Sequence, residues 1–366
     1  MAQVDLQLKE RSYPIIISKS GNNILVRLLK NEVKKNKLFV FYDANFYALH
    51  GSILQKEFKN RFNYHEIVLP SGEKTKSIQE LSKIYSYLLS EKISRTDFIL
   101  AVGGGVTTDI VGYAAATTLR GIKWGVVPTT LLGMVDASIG GKTGINHQTG
   151  KNLIGAFWQP SFVYSNTSYL QTLPVRQIIA GFGEIVKYAG LLGDKMLSTA
   201  QQFLKNEDFY DQKLLYKMVL LSSEYKAQIV KADERESGTR MFLNLGHTVG
   251  HAIEKSLGYG TLLHGEAILI GLIATVQLSL LTKSSSSKAL SEYLELVVNT
   301  VSYIQHKSLK VDQILETMKS DKKRIDSKQK FILLKKIGKP IITENVTTQE
   351  LQTAIKRTLH LYKHGV

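Results

Sequence analysis

The chain has 366 residues, enough for two domains of ordinary size, each with its own core. It contains no cysteine, which excludes disulfides and thiolate metal sites and fits the cytoplasm. A net charge of +16 raises the question of a polyanionic partner, yet the lysines are spread along the whole chain.

The amino-terminal residues mix acids and bases without an apolar core, so they do not read as a signal peptide. The run "KLFVFYDANF" (37–46) predicts a buried strand ending in polar residues. Asp43 at its end is either an acceptor for a ribose diol or a helix N-cap. The pattern "SIQELSKIYSYLLSEK" (77–92) is helical, and "DFILAVGGG" (97–105) is a strand running into three glycines. A helix follows over "TDIVGYAAATTL" (108–119), and "KWGVVPTTLL" (123–132) is a third strand. Strand and helix in alternation imply a parallel sheet with crossover helices. Such sheets bind ligands at the carboxyl ends of their strands, where these glycines sit. The glycine turn lets backbone N–H groups approach a phosphate at the positive end of a helix, although it lacks the G-x-G-x-x-G spacing of the dinucleotide fingerprint.

"VDASIGGKTGINHQTGKNLIGAF" (135–157) reads as a glycine-rich loop carrying Asp136, Lys142, Lys151 and Asn152. It is either a flexible surface loop or a cationic cradle for phosphate or carboxylate. After Pro174 the periodicity becomes helical with few β-like runs. The expected organisation is therefore an α/β domain over 1–173 and an all-α domain over 174–366. No run of 18 uncharged apolar residues exists; "AILIGLIATVQLSLL" (267–281) is shorter and reads as a buried helix, so no membrane span is expected. The segment 319–339 holds nine basic residues against two acidic ones. No zinc finger, RNA-binding aromatic motif or helix-turn-helix accompanies it. It therefore reads as a solvated basic face that also steers small anions, and no nucleic acid is expected as a partner.

Three of the nine histidines fall within "LNLGHTVGHAIEKSLGYGTLLHGEA" (243–267). His247 and His251 are one helical turn apart, and His264 follows a glycine-bounded loop. Imidazole is the commonest protein ligand for Zn²⁺, and a catalytic zinc keeps three protein ligands and an open position. Glu184, an acid in the apolar helix "GFGEIVKYA", is the best carboxylate candidate, because a lone buried Glu needs a partner. The competing reading is three unrelated core or cap histidines, and spacing alone does not choose which of them bind. Lys187, three residues after Glu184, forms either a simple salt bridge or a cation beside a metal.

In chain order, the motifs "SGEKTKS" (71–77), "GGGVTTD" (103–109), "RG" (120–121), "VPTTLL" (127–132), "DASIGGKTGIN" (136–146) and "GKNLIGAFWQP" (150–160) are joined by "GEIVKYA" (183–189), "ADERESGTRMFLNLGHTVGHAIE" (232–254) and "LHGEA" (263–267). Together they resemble the 3-dehydroquinate synthase family of sugar phosphate cyclases, over roughly residues 40 to 340. The resemblance implies a Rossmann-like NAD-binding domain followed by a helical metal- and substrate-binding domain. It implies Zn²⁺ (or Co²⁺) on Glu184, His247 and His264, with His251 on the substrate side. It places NAD on Asp43, Glu73, Lys74, Gly104, Gly105, Val106, Asp109, Thr129, Thr130 and the turn Tyr169, Leu170, Gln171, Thr172. Lys142 and Lys151 lie at the junction of cofactor and substrate. The substrate residues implied are Asp136, Lys142, Asn152, Lys187, Lys226, Arg240, Asn244, His251 and one lysine of Lys322 and Lys323, Lys323 being our choice. Arg120 is implied to reach the phosphate across a homodimer interface. The catalytic set implied is His251 with Glu236, Lys142 and Lys187. The reaction implied converts 3-deoxy-D-arabino-heptulosonate 7-phosphate (DAHP) to 3-dehydroquinate and phosphate. It proceeds by NAD-dependent transient oxidation, phosphate elimination, re-reduction and intramolecular aldol closure.

Glycerol-type and iron-type dehydrogenases are similar in fold but have no need of a phosphate-binding lysine set. Other cyclases share "GHTxGHAIE", whereas "SIGGKTGIN" and "RMFLNLGHT" fit the dehydroquinate enzyme better. One departure is visible: the family usually has Gly just before the aspartate of the glycine turn, and here it is Thr108. If that position required a positive φ, a β-branched residue would be costly there.

Overall fold

The computed structural model describes residues 1–9, 11–236, 238–322 and 329–365. Backbone packing divides the chain into two compact units: Met1–Leu173 with Leu215–Arg235, and Pro174–Leu214 with Glu236–Val366. The sequence reading assigns everything after 173 to a second domain, but the segment Leu215–Arg235 groups with the first unit. Its side chains explain why. The Lys226 ammonium donates to the Asp136 carbonyl at 2.6 Å and pairs with its carboxylate at 2.9 Å. Glu234 accepts from Gln159, and Lys231 donates to Gln7.

The first unit is built on strands β1 (Ala2–Leu6), β2 (Tyr13–Ser18), β3 (Lys37–Asp43), β4 (Asn63–Leu69), β5 (Phe98–Gly103), β6 (Lys123–Pro128), the pair β7 (Lys142–His147) and β8 (Gly150–Phe157), and β9 (Val163–Asn166). Its helices are α1 (Asn23–Val33), α2 (Ala44–Lys59), α3 (Ile78–Ser90) and α4 (Gly105–Thr117). Seven strands form one sheet in the order β1-β2-β9-β6-β5-β3-β4, parallel except for β1. The central strands are buried on both faces, which is why β3 and β5 read as unbroken apolar runs. After β4 the chain returns to the other side of β3 to form β5, so the order reverses between β3 and β5. That switch point opens a crevice beyond their carboxyl ends, bounded by Asp43 and the glycine turn.

The stretch read as a glycine-rich loop at 135–157 is in part a β-hairpin, β7 paired antiparallel to β8. Its glycines conceal it from a pattern search because they replace the side chains that announce a strand. Gly144 faces Gly155, and a Cβ on Gly155 would lie 2.3 Å from the Thr143 carbonyl oxygen. Asp136 precedes the hairpin in a single π-turn, Gly133–Ala137, a geometry that recurs at functional sites.

The remaining helices are α5 (Val175–Leu192), α6 (Asp194–Asn206), α7 (Gln212–Ala232), α8 (His247–Ser256), α9 (His264–Leu281), α10 (Ser287–Val301), α11 (Val311–Lys322) and α12 (Thr348–His364). The second unit is organised around α9, which is apolar on all sides and 83% buried, so it is the core helix expected from its sequence. The unit is not all-α. Strands β10 (Phe331–Lys336) and β11 (Lys339–Thr343) form a hairpin whose residues Phe331, Ile332, Leu333 and Leu334 are buried. Their apolar run lies inside the basic segment, where charge masked it.

Candidate metal centre and cofactor site

In the first unit, the predicted cofactor residues gather along the carboxyl ends of the parallel strands. Asp43 Oδ1 accepts the N–H groups of Asn45 and Phe46 at 2.9 and 3.2 Å, so this side chain does cap α2. The turn Thr167–Thr172 packs on the same helix: Tyr169 meets the Phe46 ring edge-on at 4.9 Å, and Thr172 bonds His50 at 2.8 Å. Tyr169 and Leu170 are buried, while Gln171 and Thr172 are exposed. Gly104 forms the turn from β5 into α4 in an extended conformation with no side-chain cap. A Cβ there would lie 3.0 Å from Thr130 Cγ2, so the turn is shaped for a bare backbone. Thr129 donates its N–H to the Gly103 carbonyl at 3.0 Å, which holds the ends of β5 and β6 level. Thr108 carries no strain: it lies inside α4, outside the positive-φ residues, with its N–H on the Gly104 carbonyl. The expected penalty at this position does not arise.

Of the two lysines in "SGEKTKS", the sequence reading chose Lys74, which is exposed. The structure adds Lys76 to this turn. It is buried, bonds Asp109 at 2.6 Å and contacts the Asn152 side chain. Burial pushes the Asp109 carboxyl up, and Lys76 opposes that shift. Asn152 itself adopts φ 56, a left-handed conformation tolerated by Asn. Glu73 accepts from Asn146 at 2.7 Å and lies 3.9 Å from Lys151. Lys142 is exposed at the start of β7, and Arg120 is exposed with φ 66.

In the second unit, three helices converge on one carboxylate. Glu184 on α5 is fully buried. Its Oε1 lies 3.6 Å from His247 Nε2 and 3.4 Å from His264 Nε2. Its Oε2 contacts Lys187, one turn along the same helix and equally buried. The other nitrogens of both imidazoles are engaged. His247 Nδ1–H donates to the Leu245 carbonyl at 3.1 Å, and His264 Nδ1 faces Glu254 Oε2 at 3.4 Å. Each Nε2 is therefore turned toward the same oxygen. Ligands about 2.05 Å from a tetrahedral zinc stand roughly 3.3–3.4 Å from each other, so these separations suit a single small divalent ion.

Burial holds His247 well below its ordinary pKa, and Glu184 does not reverse it. Burial also draws His264 down, but Glu184 and Glu254 outweigh it and hold His264 up at about 9. One nitrogen from each of His247, His251 and His264 lies within 4.8 Å of the other two, so distance alone leaves a three-histidine set open. Burial separates them: His251 is exposed at the lip, whereas Glu184 is an interior carboxylate with Lys187 on one oxygen and two imidazoles facing the other. Arg240 is buried, and Asn244 donates to Glu236 at 3.0 Å. Lys323 lies outside the described residues.

Glu254 was missed by sequence reasoning. The signal was available: it sits seven residues after His247 and three after His251, so the acid shares one face of α8 with both histidines. Glu254→Gln should lower metal affinity by roughly 10–100-fold, as loss of a carboxylate behind a ligating histidine commonly does. Competition against a chromophoric chelator measures it, and an unchanged affinity would reduce Glu254 to a packing residue.

Residues 66–180 match the family described as 3-dehydroquinate synthase N-terminal, and residues 181–324 match its C-terminal counterpart. The chain is 38% identical over 360 residues to the 3-dehydroquinate synthase of Rippkaea orientalis, covering 96% of this chain and 97% of that one. It is 39% identical over 363 residues to that of Acinetobacter baylyi, covering 97% and 98%. Among solved structures it is similar to a 2-deoxy-scyllo-inosose synthase complexed with carbaglucose-6-phosphate, NAD⁺ and Co²⁺. That likeness has a TM-score of 0.85 and 25% identity, and covers the whole of both chains.

Proposed function

The chain belongs to the 3-dehydroquinate synthase family, and on that premise we infer how its residues divide the work. The reaction is conversion of DAHP to 3-dehydroquinate and phosphate, a lyase step of the shikimate pathway with no net redox change. We assign NAD to the crevice at the β3/β5 switch point and Zn²⁺ or Co²⁺ to Glu184, His247 and His264. Bound NAD supplies reversible hydride chemistry at C5, and the bound divalent ion supplies Lewis acidity at the C5 oxygen.

The protein's own groups supply the rest. Asp43 Oδ1 is committed to its helix, so contact with a ribose diol falls to Oδ2. The Gly104–Gly105–Val106 turn, Thr129 and Thr130 cradle the dinucleotide, and Lys76 with Asp109 fixes Asn152 beside it. Elimination removes the C6 proton, and its electron pair expels phosphate from C7. Negative charge grows on the departing oxygen, and Lys142, Lys151, Asn152 and Arg120 are the groups proposed to bind it. Lys226 holds Asp136 in place to meet sugar hydroxyls. In the second unit Lys187, Arg240, Asn244 and His251 are the proposed substrate contacts, with Lys323 added on resemblance. His251, exposed at the lip of the metal cluster, is the proposed proton carrier, with Glu236 its proposed helper on resemblance. A cytoplasmic homodimer is the assembly this reading expects, with Arg120 offered to the partner from the strained run Leu119–Arg120–Gly121, all at positive φ.

The observation that carries this reading is the convergence of two differently anchored imidazoles on one buried carboxylate oxygen. Purified protein with NAD and Zn²⁺ or Co²⁺ should release phosphate from DAHP without accumulating NADH. Glucose 6-phosphate and sedoheptulose 7-phosphate, tried alongside, should release none. Steady NADH formation from a simple polyol, with no phosphate released, would assign the site to a dehydrogenase instead.

A further inference from the structure

We propose that Arg176 and Glu266 form a clamp that positions His264 for the metal, an inference that rests on the ligand set proposed above. His264 is the first residue of α9, the place in a helix where backbone N–H groups lack partners and fraying begins. Leu263 occupies the N-cap and has no side-chain acceptor, so the usual capping bond to the helix is missing. Glu266 supplies the only half of a capping box that this sequence allows: its Oε2 accepts the Leu263 N–H at 2.7 Å.

Glu266 is fully buried and carries a charge that needs compensation. Arg176, in the first turn of α5, provides it with both arms of the guanidinium. Nε reaches Oε1 at 2.7 Å, and Nη2 reaches Oε2 at 2.8 Å. The same Nη2 also donates to the Thr261 carbonyl at 3.2 Å, inside the loop between α8 and α9. That loop holds Gly258 at φ 80 and Gly260 at φ 93, so its backbone has little local stiffness of its own. One guanidinium thus ties together the helix bearing Glu184, the loop leaving the helix of His247 and Glu254, and the first turn bearing His264. The Glu266 charge has a second effect. A metal cation beside a helix N-terminus meets the positive end of its dipole, and a carboxylate in that first turn offsets it. Neither residue touches the metal position, so both are positioning residues.

The experiment compares Arg176→Ala, Arg176→Lys and Glu266→Gln with the unaltered chain, each loaded with Co²⁺. The readouts are the rate of Co²⁺ release into excess chelator, followed by visible absorbance, and the melting temperature with and without the ion. Release should be about 10–100-fold faster for Arg176→Ala and Glu266→Gln, the range seen when groups behind metal ligands are lost. Arg176→Lys, which keeps the charge but not the two-armed geometry, should fall between, and it carries the test if the alanine variant does not fold. The gain in melting temperature on Co²⁺ loading should shrink in the same order. Release within twofold of the unaltered rate, together with a lower melting temperature of the ion-free protein, would make the clamp purely structural and overturn the proposal. If the unaltered chain binds no Co²⁺ that His264→Ala removes, the ligand set itself fails, and the clamp with it.

Discussion

His264→Ala should remove the metal and with it turnover, whereas His251→Ala should keep the metal and lose rate. The two outcomes follow from different burial and different partners. A structural zinc held by four ligands contributes about 10–16 kcal/mol, or roughly 3 kcal/mol per ligand. Losing one ligand from a three-ligand site should therefore weaken binding by a hundredfold or more, on that scale of roughly 1.4 kcal/mol per tenfold. In the alanine variant Glu184 still has Lys187, so the interior charge stays partnered and the fold survives. His251 stands exposed at the rim, with its ring 5.1 Å from that of His247 and 5.6 Å from that of His264. Its loss should cost about 10²–10⁴ in rate, the usual contribution of a positioned acid–base group. Glu184→Gln completes the comparison by removing the charge but not the shape. Metal content by atomic absorption, read beside phosphate release, separates the cases. Metal lost on His251→Ala and kept on Glu184→Gln would replace the carboxylate by a third histidine.

What the sequence revealed of this architecture depended on whether a side chain advertised its surroundings. Strands β3, β5 and β6 were legible because parallel strands covered on both faces are continuous apolar runs. The β7–β8 hairpin was not, because its crossing point uses Gly144 and Gly155 and so shows no alternation. Helix spacing puts His247 and His251 on one face without choosing between them and His264, while the structure turns the Nε2 atoms of His247 and His264 toward Glu184. Periodicity reports which residues share a face of one helix; it is silent about where a second helix begins. Lys76 and Lys74 are chemically identical in the sequence, and only the turn at 73–75 decides which one is buried. Arg176 and Glu266, 90 residues apart, form a pair that no local pattern encodes.

Gly265→Ala should be the most damaging single methyl group in the second unit. The position has no unusual φ, so the cause is space alone. A Cβ on Gly265 would stand 1.7 Å from the carbonyl oxygen of Ala180, and one on Gly183 would stand 2.4 Å from the carbonyl oxygen of Gly265. Helices α5 and α9 therefore touch backbone to backbone, at the residues adjoining Glu184 and His264. The obstructing atoms belong to main chains and cannot rotate away. A carbon normally approaches a carbonyl oxygen no closer than about 3.3 Å, so the helices must part by roughly 1.5 Å. Overfilling a packed interior typically costs about 1–3 kcal/mol, and a rigid contact of this kind belongs at or above the upper end. The displacement falls where it matters most, since it draws Glu184 and His264 apart from their 3.4 Å separation. A shift of about 1 Å can cost on the order of 10² in rate, so metal binding and turnover should fall further than stability alone explains. Gly21→Ala is the control. Gly21 has φ 78 and open space around it, and belongs to the first unit, so it should cost about 1 kcal/mol through backbone strain and leave metal affinity intact. Melting curves with and without Co²⁺ distinguish the two variants. A Gly265→Ala protein that melts and binds Co²⁺ like the unaltered chain would mean the helices are not in direct backbone contact.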